Sequence, residues 1–197
     1  MRQACHSLAL VDSSNVEEAA AHMIARREIL DAATARRLTP HVVEKDYVLG
    51  WVLAGIGNHA DLRDKWLFKG GTCLKKCFFE TYRFSEDLDF TLTDGAHLNL
   101  EFLTQTFNEI GAWILERTGI EVPSDLQSFD LHENKRGALA CQAKISYRGP
   151  IANRDLPRLK LDLIADERIV LPSVRAKVFH DYSDAPEQGI EVLAYAY

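Results

Sequence analysis

Residues 68–92, FKGGTCLKKCFFETYRFSEDLDFTL, decide the fold. Trp66, Leu67 and Phe68 form a short apolar run before Lys69, and Leu74, Cys77 and Phe78 then recur at helical spacing. Gly70, Gly71 and Thr72 therefore sit where a strand turns into a helix. Glycine lets a backbone approach a phosphate closely, and the free N–H groups of a helix start attract anions. Fifteen residues after Thr72 come Asp87 and Asp89, separated by one leucine. The stretch from Phe84 to Leu92 alternates: Leu88, Phe90 and Leu92 face one way, and Ser85, Asp87, Asp89 and Thr91 the other. Aspartate is a poor strand former, so two of them on one face of an apolar strand call for a cation or a partner. They lie roughly 7 Å apart along the backbone and can converge on one or two divalent ions. Either signal alone is commonplace. Together they describe a site that grips a nucleoside triphosphate through Mg2+.

Working outward, RLKLDLIADE alternates again, with Leu159, Leu161 and Leu163 on one face and Lys160, Asp162 and Ile164 on the other. Two-metal phosphoryl chemistry wants a third carboxylate near the attacking group. Asp162, in the strand, is favoured over Asp166 and Glu167, which read as residues of a following turn. The catalytic and metal-binding set is then Asp87, Asp89 and Asp162. The nucleotide-binding set is Gly70, Gly71, Thr72 (N–H and hydroxyl) and Lys75, which lies on the first turn of the short helix. Lys76 and Arg83 are further candidate cations, Arg83 also as a brace for a carboxylate. Lys69 is expected to point away from the phosphates, and Ser85 to support a ligand carboxylate.

The motifs KGGT-L and RFSEDLDF resemble those of the AbiEii-type nucleotidyltransferase family. That family comprises the toxins of AbiE, type IV-like toxin–antitoxin systems, with MenT-like tRNA-modifying members. It falls within the DNA polymerase β-like nucleotidyltransferase superfamily. The likeness spans about residues 40–195 and is densest at 67–92. It implies an α+β fold, a mixed sheet flanked by helices, with further helices at the N-terminus. It also implies transfer of NMP from an NTP to an RNA hydroxyl such as a tRNA 3′ end, and a cognate antitoxin as partner. Asp162 falls where the family places its third acid. Lys144, in the strand ALACQAKISYRG, resembles the family's strand lysine beside the nucleotide and joins the nucleotide-binding set; snorkelling from an edge strand is its other reading. The family continues into a helical C-terminal half beyond EVLAYAY. The chain therefore reads as a short form or as one ending at a domain boundary, which leaves the completeness of its acceptor surface open.

Composition narrows the remaining possibilities. The chain has 197 residues, 47% hydrophobic and 26% charged, enough for one sizeable core. The expected division is a helical segment at 1–60 packed on a nucleotidyltransferase core at 61–197. No apolar run or leader-like stretch suggests a membrane, so the cytoplasm is the expected location. The net charge of −6 argues against indiscriminate coating of nucleic acid. Between Lys135 and Lys177, however, ten Lys/Arg face four Asp/Glu, either a phosphate-backbone track or a solvated sheet face. Cys5, Cys73, Cys77 and Cys141 read as free thiols rather than a zinc site, and no histidine pairs with a nucleophile.

Further helices are expected at Asn15–Arg37, from Thr39-Pro40 to near Gly55 or Gly57, and at Leu98–Arg117. Strands are expected at Leu126–Leu131, Ala138–Tyr147, Leu159–Ile164 and Arg168–Leu171, the first two joined by a turn at Asn134–Gly137. Two other functions share this sequence reading: a nucleotide-binding module without transfer activity, and a nucleotidyltransferase acting on a protein hydroxyl.

Overall fold

The computed structural model describes residues 23–79 and 87–196. Arg83, Ser85, Cys5 and the first part of the expected opening helix lie outside them. Within them the first helix, α1 (Arg26–Arg36), follows an extended Ala25. Helix α2 (Pro40–Asn58) starts with Thr39 at the N-cap and proline in its first turn, as the sequence suggests, although the Thr39 hydroxyl makes no capping bond. It ends at Asn58, one residue past Gly57, close to where the sequence suggests. The glycines also serve close packing: a Cβ on Gly57 would lie 2.1 Å from the carbonyl oxygen of Glu191, and one on Gly55 2.6 Å from Ile110 Cγ2.

Seven strands form one mixed sheet: β1 (Trp66–Lys69), β2 (Asp87–Leu92), β3 (Ser128–Glu133), β4 (Leu139–Ser146), β5 (Arg158–Ile164), β6 (Val174–Val178) and β7 (Ile190–Ala194). Their order is β3-β4-β5-β2-β1-β7-β6. The β2–β5 and β1–β7 pairs are parallel and the others antiparallel. One face is apolar throughout, with Leu88, Phe90, Leu159, Leu161, Leu163 and Ala143 all completely buried. Helix α4 (Leu100–Thr118) sits on that face, its start capped by Asn99 Oδ1 accepting from the Phe102 N–H at 3.1 Å. The Phe107 ring lies 6.2 Å from Trp66 and 5.5 Å from Phe129, which seats the helix on the sheet. The class is α+β with helices flanking a mixed sheet.

Two sequence expectations change in the second half. Arg168–Leu171 is not a strand; β6 begins only at Val174. Glu167 is pulled back over the sheet by Lys69 and Thr91, so the chain leaves the plane there, and Val170 is 78% exposed. The sequence also did not single out β7, which adds in parallel beside β1, with Phe68 opposite Ala194. The hairpin turn at 134–137 forms as expected: Asn134 Oδ1 accepts from the N–H groups of Arg136 and Ala138, and Gly137 takes φ +76°.

Candidate active site: an acidic sheet face beside a glycine turn

The parallel register of β2 and β5 sets Asp89 opposite Asp162 and Asp87 opposite Lys160. Because leucine and phenylalanine occupy the alternate positions and need the core, all four polar side chains emerge on the other face. Lys160 Nζ stands 3.3 Å from Asp162 Oδ2 and 3.9 Å from Asp87 Oδ2. From β4, Gln142 lies opposite Asp162 and donates Nε2–H to its Oδ1 at 3.1 Å. Lys144, exposed, lies opposite Lys160. Burial raises the carboxyl of Asp89, and the charges of Asp162 and Asp87 raise it further, against the pull of Lys69 and Lys160. The three acids named from the sequence thus share one face of two adjacent strands. Lys160 and Gln142 were not singled out, although the alternation in RLKLDL already gave Lys160 the face of Asp162.

The glycine turn abuts this face. Gly70 has φ +77°, and a Cβ built on it would lie 2.2 Å from Asp89 Oδ2 and 3.0 Å from Asp89 Cγ. Both the left-handed backbone and the contact exclude a side chain. Gly70→Ala should therefore cost about 1–3 kcal/mol of stability and displace the Asp89 carboxylate, so that activity per folded molecule falls as well. Equal melting curves and turnover for parent and variant would refute this. After the turn comes α3 (Gly70–Cys73), four residues long, which widens into a π turn at Leu74–Phe78. Thr72, 1% exposed, donates its hydroxyl to the carbonyl of Asp87 at 2.5 Å. That bond ties α3 to the acidic strand and takes the hydroxyl proton expected to reach a phosphate.

Lys75 is not brought to the acids. Its Nζ donates to Asp46 Oδ1 at 2.7 Å, while Lys76 Nζ donates to Asp46 Oδ2 at 2.8 Å and to the Asp46 carbonyl at 3.1 Å. The Tyr182 hydroxyl also donates to Asp46 Oδ2, and Arg36 approaches it at 3.9 Å. Burial would raise the Asp46 carboxyl, but the charges of Lys76 and Lys75 outweigh it and hold it at about 2. Burial lowers Lys76 against the opposing pull of Asp46. A buried carboxylate on α2 is simply the nearer partner for this turn's lysines.

Lys69 lies opposite Asp89 on β1, and its ammonium is held by Glu167. Glu167, read from the sequence as an ordinary turn acid, also accepts from Thr91 Oγ1 at 2.6 Å. Asp166 turns to the hairpin instead, accepting from Asn134 Nδ2 at 3.1 Å. Cys73, Cys77 and Cys141 are free thiols.

Three carboxylates and an amide on one face are hard oxygen donors of the kind Mg2+ takes. The Asp89 carboxyl is raised first by burial and then by the charges of Asp162 and Asp87, and a divalent cation beside it would favour its ionised form. The donor chemistry fits. The side chains are not gathered for it: among the described residues no three His, Cys, Asp or Glu converge into a metal cluster, and Asp87 and Asp162 both approach Lys160.

Among the described residues no helix is long and apolar enough to cross a membrane. No curated protein matches the chain. A family model described as nucleotidyl transferase AbiEii toxin, type IV toxin–antitoxin system, matches residues 51–197. That match covers most of the chain, and the chain belongs to the AbiEii family of nucleotidyltransferase toxins.

Proposed function

We propose that the protein transfers NMP from an NTP to an RNA hydroxyl, with a tRNA 3′ end as the favoured acceptor and Mg2+ held by Asp87, Asp89 and Asp162. The observation that carries this reading is the in-register pair Asp89–Asp162 with Gly70 backed against the Asp89 carboxylate. Bound there, Mg2+ would neutralise triphosphate charge and acidify the attacking hydroxyl. The chain's own residues do the positioning. The Gly70–Gly71 backbone admits the phosphates, and the N–H groups of Gly71 and Thr72 face them. Asp162, oriented by Gln142, faces the acceptor side and eases loss of the hydroxyl proton. Lys160, beside Asp162, and Lys144, opposite Lys160, would place positive charge on the acceptor side, where it suits the phosphates of an RNA backbone. The acceptor oxygen bonds to the α-phosphorus as the α–β bridging bond breaks. Family membership supports a cognate antitoxin as partner and the cytoplasm as the site of action.

Incubation with Mg2+, total tRNA and NTPs labelled at either the α or the γ phosphate tests the reading. RNA should acquire label from the α position and none from the γ. Label in protein would make a protein hydroxyl the acceptor, and NTP binding without incorporation would reduce the chain to a nucleotide-binding module; either result overturns the proposal.

A further inference from the structure

We propose that Glu167 is a positioning residue that keeps the Lys69 ammonium from pairing with Asp89, leaving that carboxylate available to a divalent cation. The inference rests on the cation assignment above. Antiparallel pairing of β1 with β2 puts Lys69 directly opposite Asp89, on the same face. Opposed side chains in such a pair have Cβ atoms about 4.5–5.5 Å apart, within easy reach of a lysine. Lys69 instead bonds Glu167, whose carboxylate also accepts from Thr91 Oγ1 at 2.6 Å. Thr91 is fully buried and lies two residues from Asp89 on that face. The Tyr195 hydroxyl, 3.3 Å from Thr91 Oγ1, braces the arrangement from the chain segment after β7. Glu167 is thus fixed by a buried hydroxyl and holds an ammonium whose nearest cross-strand acid is a proposed metal ligand. The Lys69 and Glu167 side chains are only 19% and 36% exposed, so a freed lysine would seek a carboxylate rather than bulk water.

Removing the Glu167 charge should turn Lys69 into an intramolecular competitor for the cation. Mn2+ binding, followed by electron paramagnetic resonance without nucleotide, reads this directly and independently of turnover. Glu167→Gln should bind Mn2+ about tenfold more weakly than the parent. Lys69→Met should bind at least as tightly as the parent, and the double variant should match Lys69→Met. A role for Glu167 in merely anchoring its loop would not be rescued by removing Lys69. Unchanged affinity in Glu167→Gln, or a double variant as weak as Glu167→Gln alone, overturns the inference while leaving the cation assignment standing. A parent that binds no Mn2+, or an Asp89→Asn variant that binds it like the parent, sinks both.

Discussion

Asp89→Asn should lower nucleotidyl transfer by about three orders of magnitude while leaving the protein at least as stable as its parent. The activity loss follows from its place between Asp87 and Asp162 and against Gly70. The stability follows from the same surroundings. Burial and two neighbouring carboxylates raise its carboxyl, so the ionised side chain opposes folding at neutral pH. An acid raised in the folded state binds its proton more tightly there than in the unfolded chain. Stability is therefore lost as pH rises through its range, and the variant's advantage should be present at neutral pH and vanish under acid conditions. Thermal melts across pH, paired with label incorporation, check both halves. A variant that transfers normally, or that melts well below its parent at neutral pH, would contradict the assignment.

Asp46→Asn should have the largest effect on stability, about 3–5 kcal/mol. The side chains of Lys75 and Lys76 are 10% and 3% exposed, and both donate to this carboxylate. Removing its charge leaves two buried ammoniums beside a neutral amide. The pH dependence gives a second signature. The Asp46 carboxyl is depressed to about 2, so its contribution is complete above the unfolded value near 3.8 and is lost as pH falls toward 2. The parent should lose about 2 kcal/mol between about pH 5 and pH 2 through this group, and the variant should lack that component. Urea denaturation at several pH values measures both. A loss under about 1 kcal/mol at neutral pH would mean that the lysines find other partners.

These residues also mark what could be read from the sequence. That Asp87, Asp89 and Asp162 share one sheet face was legible because each sits among leucines or phenylalanine in a period-two pattern, and burial of one face leaves no choice about the other. The strand-to-helix turn at Gly70 was legible from the apolar run before it and the helical spacing after it, but its left-handed backbone and its contact with Asp89 were not. The destination of Lys75 was not. Helical spacing placed it near the turn, but its partner Asp46 lies 29 residues earlier on α2, and no local pattern announces such a buried pair. Glu167 was obscured in the same way, being a polar residue after a strand whose partners, Lys69 and Thr91, come from other strands. Gly55 and Gly57 marked the end of α2 to within a few residues, but the close contacts they permit with Ile110 and Glu191 depend on tertiary packing that no local pattern shows. Strand β7 was missed for a related reason. Its insertion beside β1 is a long-range parallel pairing, which a short alternating run near the end of the sequence does not specify.

The most direct test of the acidic face is anomalous diffraction from crystals soaked in Mn2+. The account predicts density bounded by the side chains of Asp87, Asp89 and Asp162, with Lys160 withdrawn from at least one of them. Mn2+ held elsewhere, with Lys160 still seated between Asp87 and Asp162, would contradict it.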